Sequence, residues 1–554
     1  MSQDGAVIAA AHAWRAQDPD AATRAELDTL IAGAESGNAE SVAQLHARFD
    51  TRLEFGTAGL RGELAAGPNR MNRVLVAQAA AGLAAYLTER EEHPSAVIGY
   101  DGRKNSHVFA TDTAEILAGA GVRAILLPRL LPTPVLAFAV RHLGTSAGVM
   151  VTASHNPPRD NGYKVYLGGD DAGSQIVPPA DAQIAAHILR VAERDRVPDL
   201  RRGTFETAGE DVLDEYVRRA AAFGAHPAPL RFVYTAMHGV GWETAQRVFA
   251  AAGVIGAIPV VEQIDPDPAF PTVSFPNPEE PGALDLAIAT AQRTGAELII
   301  ANDPDADRLA VAIPDAAGIW HRLSGNEVGA LLGWRAARRM RLGGQRGTLA
   351  ASIVSSPALR EIARQFGFDY ADTLTGFKWV SRVPNLAYGY EEALGYLVDP
   401  ASLRDKDGIS AAVDFLAIAS ELKAAGSTLQ QHRLDFAETF GAFASAQISV
   451  RVEDTAVIAG IMGRLRADPP RRVAGRDVTA TDDFASGVGH LPPSDILRFQ
   501  LTGRARIIVR PSGTEPKLKV YLDASSTEGT PQQRIAAAQA TVDELDAAFR
   551  LLLD

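Results

Sequence analysis

Short runs of apolar residues, each followed by a polar, turn-rich cluster and then an amphipathic stretch, recur along most of the chain. These runs are residues 96–100, 122–127, 147–151, 232–234 and 298–300. Continuous apolar runs of this length, bounded by Gly, Pro, Asn and Asp, are typical of strands buried between helices. Residues 21–33 and 41–49 instead carry apolar residues at helical spacing and predict amphipathic helices.

The C-terminal part of the chain has a different pattern. Residues 447–452, 505–509 and 519–522 predict strands of a mixed α+β domain, and residues 532–553 predict an amphipathic helix. The composition becomes more charged and loop-like near 193–209 and 315–322 and changes again near 437–446. The sequence therefore predicts an α/β protein of four domains, with boundaries at 1–210, 211–322, 323–440 and 441–554.

The composition excludes several classes of protein. The 554 residues include no cysteine, which excludes a disulfide scaffold, a thiol nucleophile and a cysteine-ligated metal. The net charge of −13 argues against a nucleic-acid partner. The longest apolar stretch, residues 74–87, contains Gln78 and is shorter than the roughly 18 residues that span a membrane. With no basic region of a signal peptide at the start, we expect a cytoplasmic protein with neither nucleic acid nor membrane as a partner.

Three carboxylates follow the apolar run 298–300. Asp303, Asp305 and Asp307 alternate along the chain, so an extended backbone would place them on one face. Carboxylates that converge repel one another unless a cation lies between them, and oxygen ligands favour Mg²⁺ or Ca²⁺. A calcium loop of the EF-hand type needs Gly and Glu where this chain has Arg308 and Pro314, so it is excluded. A solvated acidic turn remains the alternative.

A serine follows the apolar run 147–151, in the sequence T-A-S-H-N-P-P. Ser154 at a strand exit is a candidate nucleophile, with His155 as a candidate base, although adjacent side chains seldom point the same way. The G-x-S-x-G elbow of the α/β hydrolases is absent. A turn with a capping serine is an equally good interpretation of these residues alone.

Two further clusters follow predicted strands. Arg510, Ser512, Gly513 and Thr514 combine a guanidinium, two hydroxyls and a flexible backbone, a set that suits an anion, although a plain β-turn explains it as well. The pair Glu391 and Glu392 can accept hydrogen bonds from vicinal sugar hydroxyls, or can simply begin a helix.

Two basic residues complete the candidates. Arg61 lies in the glycine-rich stretch L-E-F-G-T-A-G-L-R-G, which reads as a loop. Lys164 comes ten residues after the serine, and its neighbours can shift its pKa so that it acts as a general base or acid. A flexible turn and a solvated surface lysine are the alternatives.

Together and in this order, the clusters resemble the α-D-phosphohexomutase superfamily over residues 53–522. The similar motifs are T-A-S-H-N-P, D-P-D-A-D-R, the Glu-Glu pair and R-P-S-G-T-E-P. The stretches F-G-T-A-G-L-R-G, T-L-T-G-F-K-W and D-K-D-G-I-S-A-A are most similar to the branch of bacterial phosphoglucomutase/phosphomannomutase and animal phosphopentomutase-like enzymes. The resemblance implies three related α/β domains and a C-terminal TATA-binding-protein-like α+β domain around a central cleft.

The resemblance also implies an intramolecular phosphotransferase that interconverts hexose 1-phosphate and hexose 6-phosphate. Ser154 would be carried as phosphoserine, with Mg²⁺ held by that residue and the three aspartates, and a sugar 1,6-bisphosphate would be the bound intermediate. The implied catalytic residues are Ser154, His155, Lys164, Arg61 and Arg308. The implied substrate-binding residues are Thr375, Gly376, Lys378, Glu391, Glu392, Arg510, Ser512, Gly513 and Thr514. The implied partners are small sugar phosphates, and the chain is expected to be a monomer or a homodimer.

One residue departs from the family pattern. Many members have Ser two residues after the first glutamate of the sugar loop, where this chain has Ala393. The missing hydroxyl leaves open a phosphopentomutase or a glucose 1,6-bisphosphate synthase on the same scaffold. A sugar-phosphate-binding scaffold without activity and a Mg²⁺-dependent phosphatase are further alternatives, and the intact Ser154 argues against both.

Overall fold

The computed structural model describes residues 3–224, 227–452, 454–512 and 517–553. The described chain folds into two compact units. Unit 1 is Met1–Arg322 with Asp399–Leu416, and unit 2 is Leu323–Val398 with Ala417–Asp554. Among the described residues, none of the helices combines the length and the apolar character needed to cross a membrane.

Unit 1 begins with three helices among its described residues: α1 (Gln3–Arg15), α2 (Ala21–Glu35) and α3 (Ala39–Phe49). The first of them was not predicted, whereas the predicted helices at 21–33 and 41–49 are confirmed. Asp20 and Asn38 accept backbone hydrogen bonds at the starts of α2 and α3, which satisfies amide groups that have no partner within the helix.

The first sheet and its helices follow. The elements are β1 (Leu60–Glu63), α4 (Arg73–Thr88), β2 (Ser95–Tyr100), α5 (Ser106–Gly119), β3 (Arg123–Leu126), α6 (Thr133–His142), β4 (Ala147–Val151), β5 (Asp160–Leu167), β6 (Ser174–Gln175), α7 (Ala180–Arg194), β7 (Glu206–Thr207) and α8 (Asp211–Ala221). The strand order is β1-β5-β4-β2-β3-β7, and β6 pairs with β5. The strands β2, β3 and β4 are parallel, so their carboxyl ends lie at one edge of the sheet.

The second sheet of unit 1 repeats this arrangement. Its elements are β8 (Phe232–Thr235), α9 (Gly241–Ala251), β9 (Ala257–Pro259), α10 (Asp285–Thr294), β10 (Leu298–Ala301), β11 (Ala310–Pro314) and β12 (Trp320–Arg322), with strand order β12-β11-β10-β8-β9. The predicted strands at 232–234 and 298–300 are confirmed as β8 and β10. All four residues of β10 are buried, which explains its continuous apolar run.

The crossing segment, Asp399–Leu416, belongs to unit 1 although it is distant from the rest of that unit in sequence. Tyr166 donates a hydrogen bond to Asp405 at 2.7 Å, and Tyr216 donates one to Asp407 at 2.9 Å. The backbone N–H of Gly408 donates to the carbonyl of Ala306 at 3.2 Å. These contacts fix the segment against the first two sheets.

Unit 2 contains the third sheet, of strand order β14-β13-β15-β16. Its elements are α11 (Gly325–Leu342), β13 (Thr348–Ser352), α12 (Ala358–Phe366), β14 (Asp369–Thr373), α13 (Phe377–Val380), β15 (Leu386–Glu391) and β16 (Gly395–Leu397). Next come α14 (Gly408–Ala424), which begins in the crossing segment and continues into unit 2, and α15 (Leu429–Phe440). A capping box of Ser324 and Glu327 begins α11.

The fourth sheet, also in unit 2, pairs its strands antiparallel in the order β17-β22-β21-β20-β19-β18. Its elements are β17 (Ala442–Arg451), α16 (Thr455–Ala467), β18 (Arg472–Val473), β19 (Arg476–Asp483), β20 (Leu497–Leu501), β21 (Ala505–Pro511), β22 (Lys517–Ser526) and α17 (Pro531–Leu553). The predicted C-terminal strands and helix are therefore confirmed. Phe499, Ile507 and Phe549 belong to the apolar core of this sheet and its helices.

A stacked pair of rings packs α15 onto α11. The Trp334 and His432 rings are almost parallel, with centroids 4.5 Å apart. Burial lowers the pKa of His432 to about 4, because an imidazolium is disfavoured away from water.

We expect acid to weaken unit 2 through His432. Because the pKa of His432 is about 4 in the folded chain and near 6.5 when unfolded, the unfolded chain binds more protons between these values. The free energy of unfolding therefore falls as the pH falls from 6.5 towards 4. Between pH 7 and pH 5 this residue should account for about 2 kcal/mol.

Denaturant unfolding at pH 7 and pH 5 measures this effect as a difference within each variant. His432→Gln should lose about 2 kcal/mol less than the original chain over this range. His93→Gln, at an exposed histidine, serves as the control and should respond as the original chain does. The same pH response in His432→Gln as in the original chain would contradict the expectation.

Candidate active site

The serine loop joins β4 to β5 in unit 1. Ser154 is 3% exposed and adopts a left-handed backbone with φ of 51°, a conformation that is strained for a residue other than glycine. Its hydroxyl donates a hydrogen bond to Asp303 Oδ2 at 2.9 Å and lies 3.1 Å from His155 Nδ1. The adjacent serine and histidine side chains therefore do meet, contrary to the expectation for neighbouring residues.

The three aspartates follow β10 and converge. One carboxylate oxygen from each lies within 4.8 Å of the other two, and all three residues are at most 1% exposed. The expected extended backbone is wrong, since Ala306 has a φ of 54° and its N–H donates to the carbonyl of Asp303. A tight turn, rather than strand alternation, brings the carboxylates together, and a solvated acidic turn is excluded by their burial.

Two aspartates of this turn have pKa values that are shifted in opposite directions. Burial and the negative charges of Asp305 and Asp307 raise the pKa of Asp303 well above its ordinary value. Burial alone would raise the pKa of Asp307 as well, but Lys164, Lys406 and Arg308 lower it far below its ordinary range. The turn therefore concentrates three buried carboxylates beside three cations.

The donor set fits a hard metal cation. Among the described residues, nothing donates a hydrogen bond to Asp305 Oδ1 or Asp307 Oδ1, although both atoms are buried. Buried carboxylate oxygens without donors are costly unless a cation binds them, and oxygen ligands suit Mg²⁺ or Ca²⁺. The aspartate triad can hold a metal.

Lysine side chains approach the triad. Lys164, on β5, donates to Asp305 Oδ2 at 2.8 Å and to Asp307 Oδ2 at 3.1 Å, and is 5% exposed. Burial lowers its pKa, but the two carboxylates outweigh burial, so that the net shift is upward. Lys406, from the crossing segment, lies 3.1 Å from Asp307 Oδ2. A solvated surface lysine is therefore excluded for Lys164.

The predicted arginines lie in the same place. Arg308 Nε is 3.9 Å from Asp303 Oδ2 and 3.8 Å from Asp307 Oδ1. Arg61 donates to Asn156 Oδ1 at 3.1 Å. Arg61 lies on β1, which pairs antiparallel with β5, and therefore does not lie in a flexible loop.

The same arginines affect the neighbouring histidine. Burial, Arg308 and Arg61 together lower the pKa of His155 well below its usual range, which favours the neutral imidazole.

Unit 2 holds the predicted sugar residues. The backbone N–H of Gly376 donates to Glu391 Oε1 at 2.7 Å, so the stretch of Thr375, Gly376 and Lys378 adjoins the end of β15. The hydroxyls of Ser352 and Ser355 each donate to Glu392 Oε2 at 3.0 Å. The glutamates thus end a strand and do not begin a helix.

Two of the predicted phosphate residues, Arg510 and Ser512, lie at the end of β21. Arg510 Nη1 is 3.5 Å from the hydroxyl of Tyr521. Burial and the negative charge of Glu392 raise the pKa of Tyr521, while Arg510 lowers it, so all three lie near one another in unit 2. Ser512 follows the strand, whereas Gly513 and Thr514 lie outside the described residues.

The sequence analysis did not predict two residues that contact the aspartate turn, Thr133 and Lys406. The Thr133 hydroxyl donates to Asp305 Oδ2 at 2.7 Å, and the Thr133 N–H donates to the carbonyl of Asp305 at 2.9 Å. The signal for Lys406 was available in D-K-D-G, where a lysine stands between two carboxylates. No local pattern distinguishes Thr133 from other threonines that begin a helix.

Comparison with known proteins assigns these sites to one family. Four family models match, described as the phosphoglucomutase/phosphomannomutase α/β/α domains I, II and III and C-terminal domain. They cover residues 52–195, 214–318, 324–438 and 448–544. Together they span most of the chain and include every predicted site residue.

Curated relatives are similar over most of their length. A protein named "Probable phosphomannomutase" from Haemophilus influenzae is 55% identical over 485 residues, which is 87% of this chain and 98% of the relative. Human phosphopentomutase is 34% identical over 94% of this chain and 92% of the relative.

Solved structures share the fold. A phosphoglucomutase/phosphomannomutase family protein from Burkholderia thailandensis matches with a TM-score of 0.69 at 21% identity, over 91% of this chain and 97% of that one. Parafusin, a phosphoglucomutase from Paramecium, matches with a TM-score of 0.67 at 19% identity, over 90% and 96% of the two chains.

The predicted family, fold class and type of enzyme are confirmed. The matched family models and the relatives make the protein a phosphosugar mutase, which argues against a binding scaffold without activity. The chain belongs to the phosphoglucomutase/phosphomannomutase family.

Proposed function

We propose that this mutase interconverts hexose 1-phosphate and hexose 6-phosphate, with glucose or mannose as the sugar, through a phosphorylated Ser154 and a bound sugar 1,6-bisphosphate. The observation that carries the proposal is the buried Ser154 hydroxyl, 2.9 Å from one carboxylate of the aspartate triad. A phosphatase with an aspartyl nucleophile would leave this serine idle. The 55% identity to a relative named as a phosphomannomutase supports the hexose assignment.

The transfer exchanges one phosphorus–oxygen bond for another. The bond to Ser154 Oγ breaks as a bond forms to the free hydroxyl oxygen of the sugar monophosphate, and the proton of that hydroxyl is transferred to Ser154 Oγ. In the second half, the other phosphate of the bisphosphate returns to Ser154 Oγ and leaves the isomer. The positive charges of Lys164, Arg61 and Arg308 stabilise the transferring phosphoryl group.

Proton transfer is assigned from the charge states. The neutral imidazole of His155, with Nδ1 3.1 Å from Ser154 Oγ, relays the proton between the sugar hydroxyl and Ser154 Oγ in each transfer, so one oxygen gains a proton as the other loses it. Lys164 is protonated at neutral pH because its pKa is raised, so it can only donate a proton or balance charge.

Mg²⁺ is the proposed metal, with Asp303, Asp305, Asp307 and an oxygen of phosphorylated Ser154 as its ligands. When bound, it polarises the phosphoryl group and neutralises charge as that group moves.

Recognition of the sugar phosphate is assigned to unit 2. Glu391 and Glu392 accept hydrogen bonds from sugar hydroxyls. The same substrate is also bound by Thr375, Gly376 and Lys378. Arg510, Ser512, Gly513 and Thr514 bind whichever phosphate is not reacting, the last two on the basis of the sequence alone. Ala393 and the phosphopentomutase relatives favour a pentose phosphate as the alternative substrate.

A coupled turnover assay separates the substrates. Glucose 1-phosphate, mannose 1-phosphate and ribose 1-phosphate are compared with Mg²⁺ and a trace of glucose 1,6-bisphosphate. We expect a hexose to be preferred over ribose by about a hundredfold in kcat/KM, a difference of roughly 2.7 kcal/mol. Activity on ribose 1-phosphate alone would replace the hexose with a pentose, and net synthesis of bisphosphate from a second phosphoryl donor would indicate the synthase.

Thr133→Val should weaken metal binding without removing a ligand. The change deletes the hydroxyl that orients Asp305 Oδ2, and loss of such a supporting partner lowers metal affinity or activity by about 10- to 100-fold. Calorimetric titration with Mg²⁺ and the turnover assay measure the two effects. Thr88→Val, at an exposed threonine whose hydroxyl contacts its own helix, is the control. Unchanged affinity and turnover in Thr133→Val would contradict the expectation.

The remaining predictions complete the proposal. The domains at 1–210, 211–322, 323–440 and 441–554 are proposed to carry, in order, the serine, the aspartates, the glutamates and the phosphate residues. The cytoplasmic location, the monomeric or homodimeric state and the lack of nucleic-acid and membrane partners stay predictions.

A further inference from the structure

A buried arginine lies beneath the serine loop and has no part in the chemistry described so far. Arg103 follows β2, and its side chain is 1% exposed. Its guanidinium donates to the backbone carbonyls of four residues, three in the serine loop and one at the start of β5. The acceptors are Ser154 at 2.7 Å, Asn156 at 2.6 Å, Pro157 at 2.9 Å and Asp160 at 3.1 Å.

From this geometry we infer that Arg103 is a positioning residue for phosphoryl transfer, whose guanidinium holds the serine loop in the conformation that presents Ser154 to the aspartate turn. The inference rests on the proposed role of Ser154 as the phosphoryl carrier. Arg103 acts through the loop backbone, since it donates to the carbonyl of Ser154 and not to its hydroxyl.

The loop needs an external support. Ser154 has a left-handed φ, and such a residue keeps its conformation only where its surroundings enforce it. The Ser154 N–H donates to Thr152 Oγ1 at 2.8 Å, which fixes one side of the residue. Arg103 donates to the carbonyl of Ser154 and so fixes the other side of the residue. The backbone of Ser154 is therefore held on both sides, and this backbone sets the position from which the hydroxyl extends.

Arg103 is itself held in place. Its own N–H donates to Asp101 Oδ1 at 3.0 Å, and its Nε lies 3.6 Å from Asp101 Oδ2. Ser106 donates to the same carboxylate at 2.6 Å, and the ring of Phe270 lies 5.0 Å from the guanidinium carbon. The N–H of Asp101 donates to the carbonyl of Val151, which ties the ends of β2 and β4 together.

Lysine cannot reproduce this contact. Four carbonyls are reached by two terminal nitrogens of one planar guanidinium, whereas a lysine ammonium is a single point with three donors. Arg103→Lys keeps the positive charge but removes the two planar terminal nitrogens. Any effect of this change therefore reports the loss of the donor geometry and not the loss of charge. The matched control is Arg159→Gln, which removes an arginine from the same loop whose side chain is 85% exposed.

The test combines turnover with hydrogen exchange of the full-length protein. In Arg103→Lys we expect kcat to fall about 100-fold, because small misplacements of a reacting group have effects of this size, while KM for the preferred sugar phosphate changes by less than about threefold. Phosphorylation of dephosphorylated Ser154 by glucose 1,6-bisphosphate, followed by intact mass, should slow by a similar factor. Amides of residues 152–160 should exchange at least about tenfold faster, with β2 and β4 unchanged.

Each outcome is decisive. Turnover of Arg103→Lys within about threefold of the original chain would overturn the inference. So would faster exchange throughout the first sheet, since that would make Arg103 a general structural residue. Slower turnover in Arg159→Gln of the same size would also contradict it. An original chain that is inactive on every sugar phosphate would instead contradict the proposed function, and the exchange data would still show whether Arg103 orders the loop.

Discussion

Ser154→Ala is expected to lower kcat by at least about 10³-fold on the preferred sugar phosphate. The change removes the only atom that can carry the phosphoryl group in the proposed mechanism, and the remaining cations cannot substitute for a bond. The deleted hydroxyl is small and the residue keeps its backbone contacts, so the thermal midpoint should change little.

The covalent step has its own measurement. After incubation with glucose 1,6-bisphosphate, intact mass should show one added phosphoryl group on the original chain and none on Ser154→Ala. Ser36→Ala, at an exposed serine that ends a helix, is the matched control and should behave as the original chain. Full turnover in Ser154→Ala would contradict the phosphoserine mechanism and favour direct transfer.

Asp307→Asn should have an effect of similar size for an electrostatic reason. Asp307 faces Lys164, Lys406 and Arg308, and the amide leaves these cations without their shared negative charge. It also removes one proposed ligand of Mg²⁺. Loss of several kcal/mol of charge stabilisation corresponds to a fall in kcat/KM of about 10³-fold.

Metal binding tests this prediction without turnover. Calorimetric titration should show a much weaker affinity for Mg²⁺ in Asp307→Asn, and a chelator should abolish the activity of the original chain. Asp285→Asn, which changes an exposed aspartate on α10, should leave both the affinity and the activity unchanged. An unaltered Mg²⁺ affinity in Asp307→Asn would show that the metal lies elsewhere.

Local patterns predicted a minority of the strands, among them β4, β10 and β21, and they predicted that the three aspartates converge. The run 298–300 is buried on both faces, so its apolar residues are continuous, and the three aspartates that follow it come together within one turn. The error about their extended backbone did not alter the conclusion, because a turn at Ala306 also directs alternate side chains to one point.

Contacts between distant parts of the chain were not predictable in the same way. Thr133 and Asp305 are 172 residues apart, and nothing in either local sequence indicates that they share a hydrogen bond. From the sequence, Arg103 could be recognised only as a charged residue in a turn. Its four carbonyl partners lie some 50 residues later, and the sequence does not indicate the path of the loop that brings them to it. Arg61 was assigned to a loop because its pairing partner, β5, lies about 100 residues away.

The crossing segment Asp399–Leu416 bears on how the protein is synthesised. Unit 1 acquires its last piece only after residues 323–398 of unit 2 have been made, so the ribosome must release residues up to 416 before the buried tyrosines Tyr166 and Tyr216 meet their aspartates. A fragment cut after residue 322 would lack the carboxylates that accept from both hydroxyls, and it would lack Lys406 at the aspartate turn. Adding a peptide of residues 399–416 to that fragment should therefore restore stability by complementation, as happens when a severed strand of a fold is supplied in trans.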